Sequence, residues 1–170
     1  MLRSIVAVDS NNGIGYKNDL LFHIPEDMRF FRNITKGNTV VMGRKTFESM
    51  NNTPLKDRTN LVISSNPHAV NINNDNNDDI VVGDLYEIND LIKKKLSNDE
   101  DVYIIGGASI YDMYIDACKE LYITKYTKSY DNVDTYFPDP SIHGFHKALN
   151  IKCGIYDNTI YYIDKWVKLE

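Results

Sequence analysis

The chain has 170 residues, 42% hydrophobic and 25% charged, with a formal net charge of −5 at pH 7. That length suits one domain with a real core. The acidic balance argues against a nucleic-acid partner and leaves no basic patch for a membrane surface, and no apolar run approaches the roughly 20 residues of a membrane helix.

The chain opens with MLRSIVAVDS, too short and too soon polar for a secretory leader, so it reads as a strand over 4–8 (SIVAV). A helix over 25–34 follows, with Pro25 at its first position, Glu26 and Asp27 in its first turn and Arg29 and Arg32 beyond. Further apolar runs at 39–42 (TVVM), 61–63 (LVI), 80–82 (IVV) and 102–105 (VYII) each stop at Gly or Ser. Continuous β-branched runs of this kind predict buried parallel strands. Helical patterns at 44–50, 85–96 and 107–115 lie among them. The last third reads differently: 121–127, about 145–152 and 159–168 are strand-like with no helix between, so this part is antiparallel. The expectation is a single α/β domain with a mixed, mainly parallel sheet and a C-terminal hairpin. Residues 66–79 (NPHAVNINNDNNDD) are polar and of low complexity, an exposed loop with a short strand-like piece, and their asparagines read as gene composition rather than chemistry. Cys118 and Cys153 form no motif; they read as two buried or half-buried thiols of a cytosolic protein, although spacing alone leaves a disulfide open.

Asp27 is out of place. On a helical wheel of about 100° per residue, it falls in the middle of the apolar arc formed by Ile24, Met28, Phe30, Phe31 and Ile34. Its neighbour Glu26 falls on the opposite, polar side with Arg29, Arg32 and Asn33. A carboxylate aimed at an apolar surface must be paired, protonated or used. Ligands of open α/β sheets bind at the carboxyl ends of the strands. Three such ends carry phosphate-friendly residues: MGRKTFES (Gly43, Arg44, Lys45, Thr46), VISSN (Ser64, Ser65) and IIGGASIY (Gly106, Gly107, Ala108, Ser109). Each alone is a weak signal. The spacing matches neither the dinucleotide fingerprint nor a P-loop.

Six segments in this order and spacing resemble the dihydrofolate reductase family: IVAVDSNNGIGYKNDLLFHIPEDMRFF, TVVMGRKTFESM, PLKDRTNLVISS, VYIIGGASIYDMY, LYITKY and VDTYFPD. The resemblance runs essentially end to end. It implies one domain over 1–170, an eight-stranded, mainly parallel sheet with four helices, and reduction of 7,8-dihydrofolate by NADPH. Asp27 then corresponds to the family's acidic pocket residue, which bonds the 2-amino edge of the pterin and promotes protonation of nitrogen 5 through water. Burial is expected to raise its pKa above about 3.9.

The resemblance assigns further roles. Val6 and Ala7 lie beside the pterin. Ile14, Gly15 and Leu20 belong to a mobile lid over the nicotinamide, whose segment 11–19 is polar and glycine-containing, as a lid should be. Phe31, Met50 and Leu55 line the substrate pocket, and Arg58 pairs with the glutamate α-carboxylate of the substrate, a bidentate task suited to arginine. Thr124 braces Asp27. Ile105 and Tyr111 flank the nicotinamide and pterin. Gly43, Arg44, Lys45, Thr46, Ser64, Ser65 and the turn from Gly106 and Gly107 through Ala108, Ser109 and Ile110 hold the cofactor. The Gly106–Gly107 pair matches one that the family keeps in the cis form.

One departure stands out. The family has tryptophan where this chain has Phe22, a position the resemblance places in the catalytic site beside the substrate, and a phenyl ring cannot donate the hydrogen bond that the indole gives to an ordered water on the proton path there. His23 reads as exposed beside the lid. His143 and His146 (HGFH) read as surface residues rather than a metal pair, since no nearby Cys, Asp or Glu completes a site. Two other classes fit parts of the pattern: a pyrimidine reductase of riboflavin synthesis, and a non-catalytic nucleotide-binding module. Neither needs both Asp27 and Arg58. Nothing suggests more than a monomer, and the chain is too short to carry a fused thymidylate synthase.

Overall fold

The structure is a computed structural model and describes residues 1–169. Eleven strands and four α-helices follow in chain order: β1 (Leu2–Val8), β2 (Gly13–Tyr16), β3 (Asp19–Leu20), α1 (Pro25–Thr35), β4 (Thr39–Gly43), α2 (Arg44–Ser49), β5 (Thr59–Ile63), β6 (Ile80–Gly83), α3 (Leu85–Ser97), β7 (Val102–Gly106), α4 (Ala108–Tyr114), β8 (Glu120–Tyr126), β9 (Thr135–Tyr136), β10 (Phe145–Tyr156) and β11 (Thr159–Lys168).

Eight strands form the main sheet in the order β10-β11-β8-β1-β7-β4-β5-β6. β8, β1, β7, β4, β5 and β6 run parallel, while β11 joins β8 antiparallel and β10 joins β11 antiparallel. This is the mixed sheet with a terminal hairpin that the patterns predict.

Both faces are covered, which explains why the strands read as unbroken apolar runs. Period-two alternation divides their side chains. Val6, Val8, Val41, Leu61, Val102 and Ile104 enter one core with α3 and α4. Ile5, Val40, Met42, Val62 and Tyr103 enter the other, with Phe47 of α2 and Phe30, Phe31 and Ile34 of α1 packed on it. The helices begin where their sequences direct. Pro25 occupies the first turn of α1, and Gly37, at φ +76°, follows its end. Asp84 caps α3 by accepting from the Glu87 amide at 2.9 Å.

Four local expectations are corrected. Part of the lid is a small antiparallel sheet of β3, β2 and β9, rather than open loop. Its strands are two to four residues long and rich in glycine, so they carry no periodic signal. Segment 66–79 contains no strand; it has one 3-10 turn at Pro67–Ala69. Several asparagines of this region and its surroundings have structural work. The Asn73 side-chain amide donates to the Asn51 carbonyl at 2.7 Å, and fully buried Asn60 exchanges side-chain bonds with both backbone groups of Leu55. Finally, β10 runs to Tyr156, beyond the expected 152.

Both cysteines are free; Cys118 is buried against Ser4, as expected, but Cys153 is exposed, because it lies on the edge strand β10, most of whose residues face solvent. His143 does meet a carboxylate, Asp116 at 2.8 Å, but no group of three potential metal ligands exists among the described residues. No helix there is long and apolar enough to cross a membrane.

Phe47, with no exposed surface, is the largest side chain holding α2 to the sheet. Phe47→Ala should cost about 3–5 kcal/mol in urea denaturation, whereas a change at an exposed position such as Ile142→Ala should stay within about 0.5 kcal/mol.

Candidate active site

The carboxyl ends of β1, β4, β5 and β7 open into one cleft of about 970 Å³. The position follows from topology. The chain leaves β1 and builds β4, β5 and β6 on one side, returns to insert β7 beside β1, then crosses to β8 on the other side. Strand order reverses there, and a crevice forms at such a switch point. A smaller, open, polar hollow of about 340 Å³ between Gly37 and Asp79 shares only Arg58 with the predicted residues.

The cleft gathers nearly all of the predicted residues. Val6 and Ala7 come from β1, Ile14, Gly15 and Leu20 from the lid, and Asp27 and Phe31 from α1. Met50 and Leu55 continue the apolar wall of Phe31, and Gly43 through Thr46 line the cleft on its other wall. Ser64 and Ser65 follow β5, and Ile105 through Tyr111 lie beside Gly43 and Thr46.

Three predicted residues lie outside the wall. Thr124 stands behind Asp27 and donates its hydroxyl to Asp27 Oδ1. Arg58 lies behind Phe31, its guanidinium carbon 5.9 Å from the ring centre. Phe22 turns away from the cleft onto Tyr126 and Tyr130. Sequence reasoning missed Ile5, Asn18, Asp19, Met28, Asp134 and Thr135, all of which reach the wall; His23, expected beside the lid, is exposed and lines the cleft as well. Asp134 and Thr135 arrive through the small sheet: the Lys17 amide donates to Asp134 Oδ2 at 2.9 Å, and β9 pairs with β2. Their motif, VDTYFPD, offered no chemical reason to place them there.

Two adjacent carboxyl groups on α1 have opposite environments. Glu26 is clasped by Lys152 at 2.6 Å and by Arg29, and these cations hold its carboxyl below the usual range. Asp27 faces the cleft without a cation. Burial pushes its pKa up, and the Thr124 hydroxyl only partly opposes that shift. Tyr111 completes the floor. Its buried hydroxyl donates to the Ile5 carbonyl at 2.7 Å, and burial, then the Asp27 charge, keep it protonated. A carboxyl group raised by burial in a cleft is a candidate acid–base group.

Arg58 anchors its guanidinium on the Lys56 carbonyl (2.8 Å) and the Thr35 hydroxyl (3.1 Å). Burial, with Arg32 nearby, lowers its pKa, although Asp57 and Asp78 act in the opposite sense. A partly desolvated guanidinium held by neutral acceptors, near a second arginine, is suited to an incoming carboxylate.

On the other wall, α2 and α4 begin at Gly43 and Gly107 with no side-chain cap. A Cβ on Gly43 would meet Ile110 at 3.1 Å, and one on Gly107 would meet the Thr46 hydroxyl at 3.4 Å. The Gly106–Gly107 peptide is cis, and Gly106 has φ +124°, a conformation open to glycine. Glycine-lined amides beside Lys45, Ser64 and Ser65 fit the phosphates of a dinucleotide. Arg44 is engaged with Glu48 at 2.7 Å, an exposed pair that a phosphate can replace.

The Asp27 environment has a consequence for stability. Its folded pKa lies above the unfolded value, so ionisation opposes folding. The penalty is absent below about pH 3.9, grows as pH rises through the folded pKa and is full above it. Asp27→Asn keeps the shape and the Thr124 bond. It should therefore raise Tm at neutral pH, with the gain fading as the comparison is repeated at lower pH.

The dihydrofolate reductase family model matches residues 1–161. The chain is 36% identical over 139 residues to the dihydrofolate reductase of Bacillus subtilis, covering 82% of this chain and 76% of that protein. It is 36% identical over 146 residues to that of Buchnera aphidicola, covering 85% and 83%. Among solved structures, dihydrofolate reductase from Enterococcus faecalis, complexed with NADP(H) and RAB-propyl, superposes with a TM-score of 0.83 at 29% identity, covering 100% of this chain and 97% of that one. The fold, the cleft and these matches converge: this chain belongs to the dihydrofolate reductase family.

Proposed function

We propose that the cleft binds 7,8-dihydrofolate against Asp27 and NADPH against the glycine-lined wall, and reduces the pterin to tetrahydrofolate. The reaction is that of the family. When bound, NADPH supplies the hydride that reaches carbon 6 of the pterin. The chain's own residues manage position and charge.

One observation carries the reading: Asp27, a carboxyl group without a cation, faces the cleft from an otherwise apolar helix face and is braced by Thr124. An ionised Asp27 accepts hydrogen bonds from the pterin 2-amino edge. Its negative charge raises the proton affinity of the bound ring, and water brings the proton to nitrogen 5. Thr124 fixes the carboxyl orientation. Leu20 and Ile14, from the lid, cover the reacting face and exclude bulk water. Phe31, Met50 and Leu55 pack the aminobenzoyl portion, and Arg58 receives the α-carboxylate. Lys45, Thr46, Ser64 and Ser65 hold the cofactor phosphates, joined by Arg44 when it leaves Glu48. Asp27 and Arg58 together favour this reading over a pyrimidine reductase or a non-catalytic module, neither of which requires the pair. Phe22 makes no hydrogen bond, so the water near the pterin must be held by other groups. The same reading takes the chain as one functional domain over 1–170, working as a monomer in the cytoplasm. It acts on small molecules rather than nucleic acid, in keeping with a net charge of −5.

The test is Asp27→Asn, followed by loss of NADPH absorbance with and without dihydrofolate. Reduction near pH 7 should fall by roughly two to four orders of magnitude, the span of general acid–base assistance. The variant's rate should keep climbing as pH falls, because protonated substrate must then come from solution, and the gap to the wild type should narrow in acid. An equal loss at every pH would reduce Asp27 to a binding group. Arg58→Leu should weaken dihydrofolate by about 1.5–3 kcal/mol relative to a pterin lacking the glutamate tail. An unchanged ratio between those two substrates would remove Arg58 from the site.

A further inference from the structure

The two roots of the lid meet on one residue outside the cleft. The first root is knotted around Asp9, which is fully buried. Its three hydrogen-bond donors are all backbone amides: Asn11 at 2.9 Å and Gly13 at 2.8 Å on Oδ1, and Tyr130 at 3.2 Å on Oδ2. Burying a carboxylate on neutral donors is costly, and what it fixes here is backbone geometry at the start of the lid. The Ser10 amide adds a bond to the Lys128 carbonyl at 3.1 Å. The second root is Phe22. Its ring stacks on Tyr130, with centroids 6.1 Å apart and planes at 22°, and meets Tyr126 edge-on at 5.0 Å. Tyr126 forms the floor, buried and bonded through its hydroxyl to the Tyr156 carbonyl at 3.0 Å.

Between these roots lie Ile14, Gly15 and Leu20, which line the cleft. The tip reaches across it, where Asn18 Nδ2 donates to the Lys45 carbonyl at 3.0 Å. β2 and β3 make the middle of the segment a unit, so opening requires rotation about its two ends.

We propose that Tyr130 is a positioning residue of this enzyme: the pivot that holds both roots of the lid, the first through its backbone amide and the second through its ring, and thereby restrains lid opening and product release. The proposal rests on the functional reading above. It concerns residues that touch neither reacting atom, so the chemical step and the release step should separate.

Stopped-flow measurements on Tyr130→Ala, Tyr130→Leu and Tyr130→Phe provide the test. Each leaves the backbone amide to Asp9 in place, and the leucine and phenylalanine variants keep apolar bulk if the alanine variant folds poorly. Hydride transfer is read as NADPH absorbance loss in a single turnover. Release is read by chasing radiolabelled tetrahydrofolate from the enzyme. Loss of the stacked ring in Tyr130→Leu, and in Tyr130→Ala where it folds, should speed release by about fivefold or more and by a larger factor than hydride transfer changes. Tyr130→Phe, which keeps the stack, should release within about twofold of the wild type. Unchanged or slower release in Tyr130→Leu would overturn the pivot, as would a phenylalanine variant as fast as the leucine one. A wild-type protein that transfers no hydride would instead remove the functional reading, and the pivot with it.

Discussion

A carboxyl group forced to share an apolar helix face is the constraint around which the rest of the site is arranged. α1 buries Phe30, Phe31 and Ile34 against the sheet, and Asp27 rides on the same helix at the open end of that face. The helix cannot turn Asp27 to solvent without lifting those rings. Burial therefore fixes the carboxyl in the cleft and favours its neutral form, while a single hydroxyl from β8, Thr124, limits the shift. Glu26, one residue earlier, shows the alternative: exposed, clasped by two cations and firmly ionised. The folded state bears a cost at Asp27 that a neutral residue would relieve.

The sheet supplies everything else by topology. Its central parallel strands end together, so residues from β1, β4, β5 and β7 converge although the chain separates them widely. One wall carries apolar side chains around Asp27, and the other carries backbone amides and glycines. Outside the apolar wall, Arg58 stands behind Phe31 with its guanidinium partly desolvated. The proposed lid is a small sheet fastened by the two-residue strand β9 and by contacts at its roots. That combination, a rigid floor under a lightly held cover, suits a reaction that must exclude water and then let product go.

Much of this was legible in the sequence because burial leaves a periodic trace. The eight main strands and four helices appear at their expected places, and Asp27 is conspicuous for breaking the pattern of its own helix. Arg58 and Thr124 are different. Nothing in their local context marks them, and only the family resemblance singled them out. Asp134 and Lys17 meet across 117 positions of sequence, through strands too short to carry alternation. Asp9 is similarly silent: an aspartate before a turn looks solvated until the fold buries it. Phe22 was expected near the proton path, yet an apolar ring finds better partners in Tyr126 and Tyr130 than in a cleft that must hold water.

The central claim is that the fold itself, before substrate arrives, perturbs the Asp27 carboxyl. Carbon-13 NMR of the unliganded protein, with aspartate labelled at the side-chain carboxyl and the resonance assigned by its absence in Asp27→Asn, measures this directly. The titration midpoint should lie clearly above the ordinary aspartate value of about 3.9 and rise further when Thr124→Val removes the one hydroxyl opposing the shift. A midpoint at or below the ordinary value would contradict the account, because Asp27 would then be a solvated carboxylate that the fold leaves unperturbed.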